Sequence, residues 1–177
     1  MEYVGSFNAI KTGKGYIVNI YNLHPDGDIM PFQFDTGASV TFLGINSFCD
    51  EENKEEYELL RNIVKEEIAD GKYDVVKDSA STATKEEVYM YPCRYDGVSI
   101  SGTKPIVLYF FLYLGDVSVP LLGFDYIDDC SYHHSIGGEL VVNAVAQDVG
   151  KRFYPNTVID FNKIIERFNR ERKRIGE

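Results

Sequence analysis

The sequence predicts a mainly β domain with one amphipathic helix inserted at 50–70 and a second helix near the C-terminus. Three observations lead there. The chain holds 13 Tyr and 11 Phe and no Trp, an aromatic-rich composition that favours strands. Short apolar or alternating runs recur between turn-forming Gly, Pro, Asp and Asn clusters. Apolar residues recur at helical spacing in both of those stretches. At 177 residues and 44% hydrophobic content the chain fills one core.

Residues 3–10 and 15–22 read as strands, separated by Lys11-Thr12-Gly13-Lys14-Gly15. His24-Pro25-Asp26-Gly27-Asp28 is a turn, because Pro fixes one φ and Gly accepts a positive one. Ile29–Phe34 is the return strand. It delivers Asp35 into the loop Asp35-Thr36-Gly37-Ala38-Ser39, after which the chain turns apolar and resumes as a strand. Leu59, Leu60, Ile63, Val64 and Ile68 then mark one face of the inserted helix, which has an acidic start and a stop at Asp70-Gly71. Strands follow at 73–78, 88–100, 105–114 and 118–122, and the polar, small-residue stretch Ser79–Glu87 suits a hairpin tip or a mobile loop. Tyr109–Tyr113 reads as buried. A short helix after Gly123 and a strand at 139–145 come next. The last helix begins at Val158, with Asn156 or Thr157 as its cap and Val158, Phe161, Ile165 and Phe168 as its docking stripe. The domain is therefore 1–150, followed by a helical extension at 151–177.

A net charge of -10 and a pI near 4.8 argue against nucleic acid as a partner. The basic end of the last helix, Arg167–Arg174, fits a helix C-terminus and its dipole. The three cysteines, Cys49, Cys93 and Cys130, are widely spaced and imply no disulfide framework. Met1–Val4 shows no basic and apolar leader pattern, and no run reaches the roughly 18 apolar residues of a membrane span. The expectation is a cytoplasmic protein with no membrane partner.

No nucleophile elbow, Walker loop, dinucleotide fingerprint or zinc-protease motif occurs. Cys130, His133 and His134 make half a metal site at best, so no metal and no cofactor is expected. Asp35 remains. In a D-T-G tripeptide an aspartate can serve merely as a turn residue. Here apolar strand flanks it on both sides, which places the carboxylate near the interior. Thr36 adds a hydroxyl, and Leu121-Leu122-Gly123 downstream supplies a second apolar and glycine signal.

Phe34-Asp35-Thr36-Gly37-Ala38-Ser39, with Val119-Pro120-Leu121-Leu122-Gly123-Phe124-Asp125, resembles the paired motifs of retropepsin-like aspartic proteases, single-domain relatives of pepsin. The resemblance covers roughly residues 3–130. It implies a closed β-barrel, the acid-protease half-fold, and hydrolysis of peptide bonds through an aspartate dyad. It assigns Asp35 as catalytic, with Thr36, Gly37, Ala38 and Gly123 in support. Ser39, Val119 and Leu121 would contact a peptide substrate, as would Ser81 and Thr82 in the flap candidate Ser79–Glu87, which lacks the family's usual tip glycines. The chain has one D-T-G and no D-S-G, so the resemblance implies a homodimer with one Asp35 from each subunit. The alternative is an inactive dimerisation or peptide-binding module of the same fold. Ala38 stands where pepsin-type enzymes place a hydroxyl on the carboxylate. Losing that donor raises the dyad's proton affinity and implies a milder pH optimum than pepsin's.

Overall fold

The computed structural model describes residues 5–13, 15–50, 52–79, 87–134, 139–144 and 148–176. The chain runs through β1 (Gly5–Thr12), β2 (Gly15–Tyr21), β3 (Met30–Phe34) and β4 (Phe42–Gly44), then a 3-10 turn and helix α1 (Lys54–Asp70). β5 (Val76–Ser79) and β6 (Glu87–Ile100) pair antiparallel, and β7 (Ile106–Tyr113), β8 (Leu121–Leu122) and the one-turn helix α2 (Phe124–Ile127) follow. β9 (Cys130–His134), β10 (Leu140–Ala144), a second 3-10 turn at Lys151–Phe153, β11 (Ile159–Asp160) and α3 (Phe161–Ile175) complete it.

The mainly β class with two added helices is observed. β6, β7, β4, β8, β3 and β2 are neighbours in that order, and β2 pairs again with β6 through Ile20–Ile100 and Tyr21–Ser99. The ring therefore closes on itself, which leaves these strands no long open edge. β1, β10 and β9 extend it outward as an antiparallel annex. Val18, Ile20, Phe32, Leu43, Leu108, Phe110, Leu112 and Leu122 are fully buried inside.

β7 explains its own composition. Its run Ile106-Val107-Leu108-Tyr109-Phe110-Phe111-Leu112-Tyr113 is apolar throughout because both faces are covered. Leu108, Phe110 and Leu112 face the main core, while Tyr109 and Phe111 join Met90 and Tyr154 in a second cluster. The segment before α3 thus covers the outer face of the barrel's most apolar strand.

α1 buries Leu60, Ile63 and Val64, and Asn53 caps it by accepting the Glu56 amide at 3.1 Å. α3 buries Phe161, Ile164, Ile165 and Phe168 and packs on α1 and β6. Its arginines meet carboxylates: Arg167 pairs with Glu66 at 2.6 Å, and Arg172 with Asp26 at 2.7 Å. Among the described residues no helix is long and apolar enough to cross a membrane.

Some boundaries move for physical reasons. α3 starts at Phe161, and its cap is Asp160, whose carboxylate accepts the Asn162 amide at 3.2 Å, in place of Asn156 or Thr157. Ile159 and Asp160 are held extended by parallel pairing with Cys93 and Arg94 of β6, so long-range pairing overrides the local helical pattern. No strand is predicted at Cys130–His134, yet it forms one because β10 pairs along its whole length.

Candidate functional site

The Asp35 loop lies between β3 and β4, and those two strands are not neighbours. β8 is wedged between them, pairing with β3 through Gln33–Leu121 and Phe34–Leu122, and with β4 through Phe42–Leu121. Leu121-Leu122 therefore fills the gap beneath the loop with strand. Backbone bonds carry this contact into the loop. The Asp35 amide donates to the Leu122 carbonyl at 3.0 Å, and the Phe124 amide donates to the Ala38 carbonyl at 2.8 Å. Gly123 lies against the Val40 peptide so closely that a side-chain carbon there would collide with its carbonyl carbon and oxygen.

Within the loop the Gly37 amide donates to Asp35 Oδ1 at 2.9 Å and the Ala38 amide to the Asp35 carbonyl at 3.3 Å. Asp35 is half-buried, and no ion pair reaches it among the described residues. One carboxylate oxygen is thus fixed by a backbone donor while the group keeps access to solvent. Such a carboxylate can accept a proton from water or share one with a second carboxylate.

Thr36, Gly37 and Ser39 are exposed at the loop's tip, and Ala38 is half-buried. Val119 and Leu121 are half-buried, Leu121 in β8 and Val119 just before it. Ser81 and Thr82 lie outside the described residues. Ser79 and Glu87, at the ends of the flap candidate, pair with each other as the last rung of the β5–β6 hairpin.

Behind the loop is a polar cluster that the sequence did not mark as a site. Asp125, only 1% exposed, accepts from the Thr41 hydroxyl at 2.7 Å, from the Tyr126 amide at 2.9 Å and from the Tyr154 hydroxyl. Thr41 Oγ1 in turn accepts the Gly123 amide at 3.1 Å. Burial pushes the Asp125 carboxyl above its ordinary value, against the pull of the donors from Tyr154, Thr41 and Tyr126. Burial and the neighbouring Asp125 push the Tyr154 phenol up as well, so the proton stays on the tyrosine and Asp125 accepts. One signal was available in the sequence. An aspartate inside the apolar run Leu121–Ile127 needs polar partners if that run is buried.

Other chemistry finds little support. Burial pushes the Cys49 and Cys130 thiols up to about 12 and that of Cys93 well above its usual value, which disfavours a thiolate. His24, Asp26 and Asp28 bring ligand atoms within 4.8 Å of one another. However, His24 Nδ1 accepts the Asp26 amide at 3.1 Å, and Arg172 already neutralises Asp26. The group is closed as a turn, with its best ligand atoms in use.

No family model and no curated protein matches the chain. Among solved structures it is similar to a retropepsin-like aspartic protease from Rickettsia conorii, with 18% identity over 79% of this chain and 91% of that one, at a TM-score of 0.44.

Proposed function

We propose that the chain is an aspartic endopeptidase that acts as a homodimer, each subunit contributing Asp35 to one dyad. The observation that carries this reading is the loop geometry. A half-buried carboxylate sits on a tight turn whose flanking strands are held apart and braced by β8, with one oxygen fixed by the Gly37 amide. An ordinary surface turn needs no such support.

The chemistry follows from electrostatics. Two carboxylates a few ångströms apart cannot both ionise, so the pair holds one proton and titrates as a unit. The ionised member takes a proton from a water as that water attacks the scissile carbonyl. The protonated member gives its proton to the carbonyl oxygen, so the tetrahedral intermediate forms neutral. Collapse breaks the C–N bond, with a proton passed to the leaving amine. Thr36 would bond across the two-fold axis to the partner's loop, and Ser39, Val119 and Leu121 would line the peptide groove, along with Ser81 and Thr82. No cofactor enters any step.

The test is Asp35→Asn against wild type on a peptide library. Cleavage vanishes in the variant while folding and dimerisation persist. Equal cleavage by both proteins counts against Asp35 as the catalytic group, and no cleavage by either favours the non-catalytic module.

A further inference from the structure

We propose that Tyr154, outside the region that resembles the proteases, is a positioning residue for the Asp35 loop; its link to catalysis rests on the reading above. The hydroxyl of Tyr154 is placed by the packing of its ring, independently of the carboxylate it serves. The ring stacks on Phe111 at 4.8 Å and lies 5.4 Å from Tyr109, both on the outer face of β7. The chain leading into it is fastened to the end of α2. The Gly150 amide donates to Asp129 Oδ2 at 2.8 Å, and Arg152 pairs with Asp128 and, at 2.9 Å, with Asp129. The segment therefore holds α2 at two places, its C-terminal end and the Asp125 carboxylate in its first turn.

From Asp125 the contact reaches the loop in a single step. Oδ2 takes the Tyr154 hydroxyl, and Oδ1 takes the Thr41 hydroxyl and the Tyr126 amide. Thr41 closes the loop that begins at Asp35, and its Oγ1 receives the amide of Gly123, the residue packed against Val40. Without the tyrosine hydroxyl, Oδ2 is a buried acceptor with no other donor among the described residues, and such a group costs free energy until it moves or is hydrated. Any movement of Asp125 displaces Thr41 and Gly123 together. Tyr154 acts through Asp125, to which its hydroxyl donates.

The test compares Tyr154→Phe, which removes the hydroxyl and keeps the ring, with Tyr109→Phe, which removes a hydroxyl from the neighbouring ring. Amide hydrogen exchange at Gly123 and Phe124 is measured beside that of β2 and β6, together with kcat and KM on a cleaved peptide. In Tyr154→Phe, exchange at Gly123 and Phe124 rises about tenfold while β2 and β6 are unchanged, and kcat falls about tenfold at nearly constant KM. Tyr109→Phe changes neither. Unchanged exchange at Gly123 and Phe124, or a uniform rise across the barrel, overturns the inference. A wild-type protein that cuts no peptide, with exchange still raised locally in Tyr154→Phe, retires the protease reading and supports the positioning of the loop.

Discussion

Two aspartate-bearing turns flank β3, and they are held in different ways. The turn before it, His24–Asp28, closes on itself. The Gly27 amide donates to the His24 carbonyl at 3.0 Å, the Asp26 amide to the His24 ring, and Arg172 neutralises Asp26 from outside. The turn after it, at Asp35, has no such cation among the described residues. Beyond its own short bonds, it is braced by β8 and the residues following it, far away in the chain. A turn that only reverses the chain needs local bonds. A turn that must present an unneutralised carboxylate in a fixed place needs support from elsewhere in the fold, and that difference separates the candidate site from a surface loop.

The largest expected contrast is between the two aspartates. Asp35→Asn lowers the peptide-cleavage rate by about 10^4-fold or more. Asp26→Asn leaves cleavage intact and costs about 1 kcal/mol or less in urea unfolding, since it removes one half-exposed ion pair. Comparable loss of cleavage in both variants breaks the comparison.

The glycines of the two regions separate next. Gly123→Ala drives a carbon into the Val40 peptide, where neither partner is a flexible side chain, and costs about 3 kcal/mol by overpacking. Gly27 has open space around it but a φ of +79°, so Gly27→Ala costs only about 1–2 kcal/mol of backbone strain. Urea denaturation ranks the pair, and the reverse order refutes the bracing.

Asp125→Asn sets a donor against the hydroxyls that Asp125 accepts, at about 1–3 kcal/mol. Its pH dependence has a defined sign. The folded pKa is raised above 3.8, so the fold retains this proton at a pH where the unfolded chain has lost it. The resulting stabilisation is complete below the unfolded value and is lost as pH rises through the folded one. Asparagine has no such term, so the stability gap between wild type and Asp125→Asn is widest in acid and narrows as pH rises. A gap that widens with pH contradicts the assignment.

The smallest effect concerns Ala38. Ala38→Ser restores a hydroxyl that can donate to the charged dyad, and shifts the acid limb of the pH–rate profile downward by about one unit or less. An optimum below about pH 3 in the wild type contradicts the milder profile, since free carboxylates titrate near 4.

Local pattern made much of this legible. The apolar flanks of Asp35, the Leu121-Leu122-Gly123 run and the helical spacing of Leu59 to Ile68 are all short-range signals, and each marks an element that forms. The missed features depend on distant partners. β9 exists because β10 lies beside it, and β11 because Ile159 meets Cys93. Nothing near Tyr154 says that its hydroxyl meets Asp125. That contact exists only once β7, α2 and the C-terminal segment have assembled. The wedge itself was half legible: its residues were picked out, but their place between β3 and β4 is a matter of topology.

The central claim is that one active site takes an Asp35 from each of two chains. Mixing wild type with Asp35→Asn at fixed total concentration, after subunit exchange, tests it directly. If the dyad is shared, only wild-type pairs cut, and an equal mixture retains about one quarter of the wild-type rate. An equal mixture that retains about half shows that each chain acts alone, and contradicts the shared dyad.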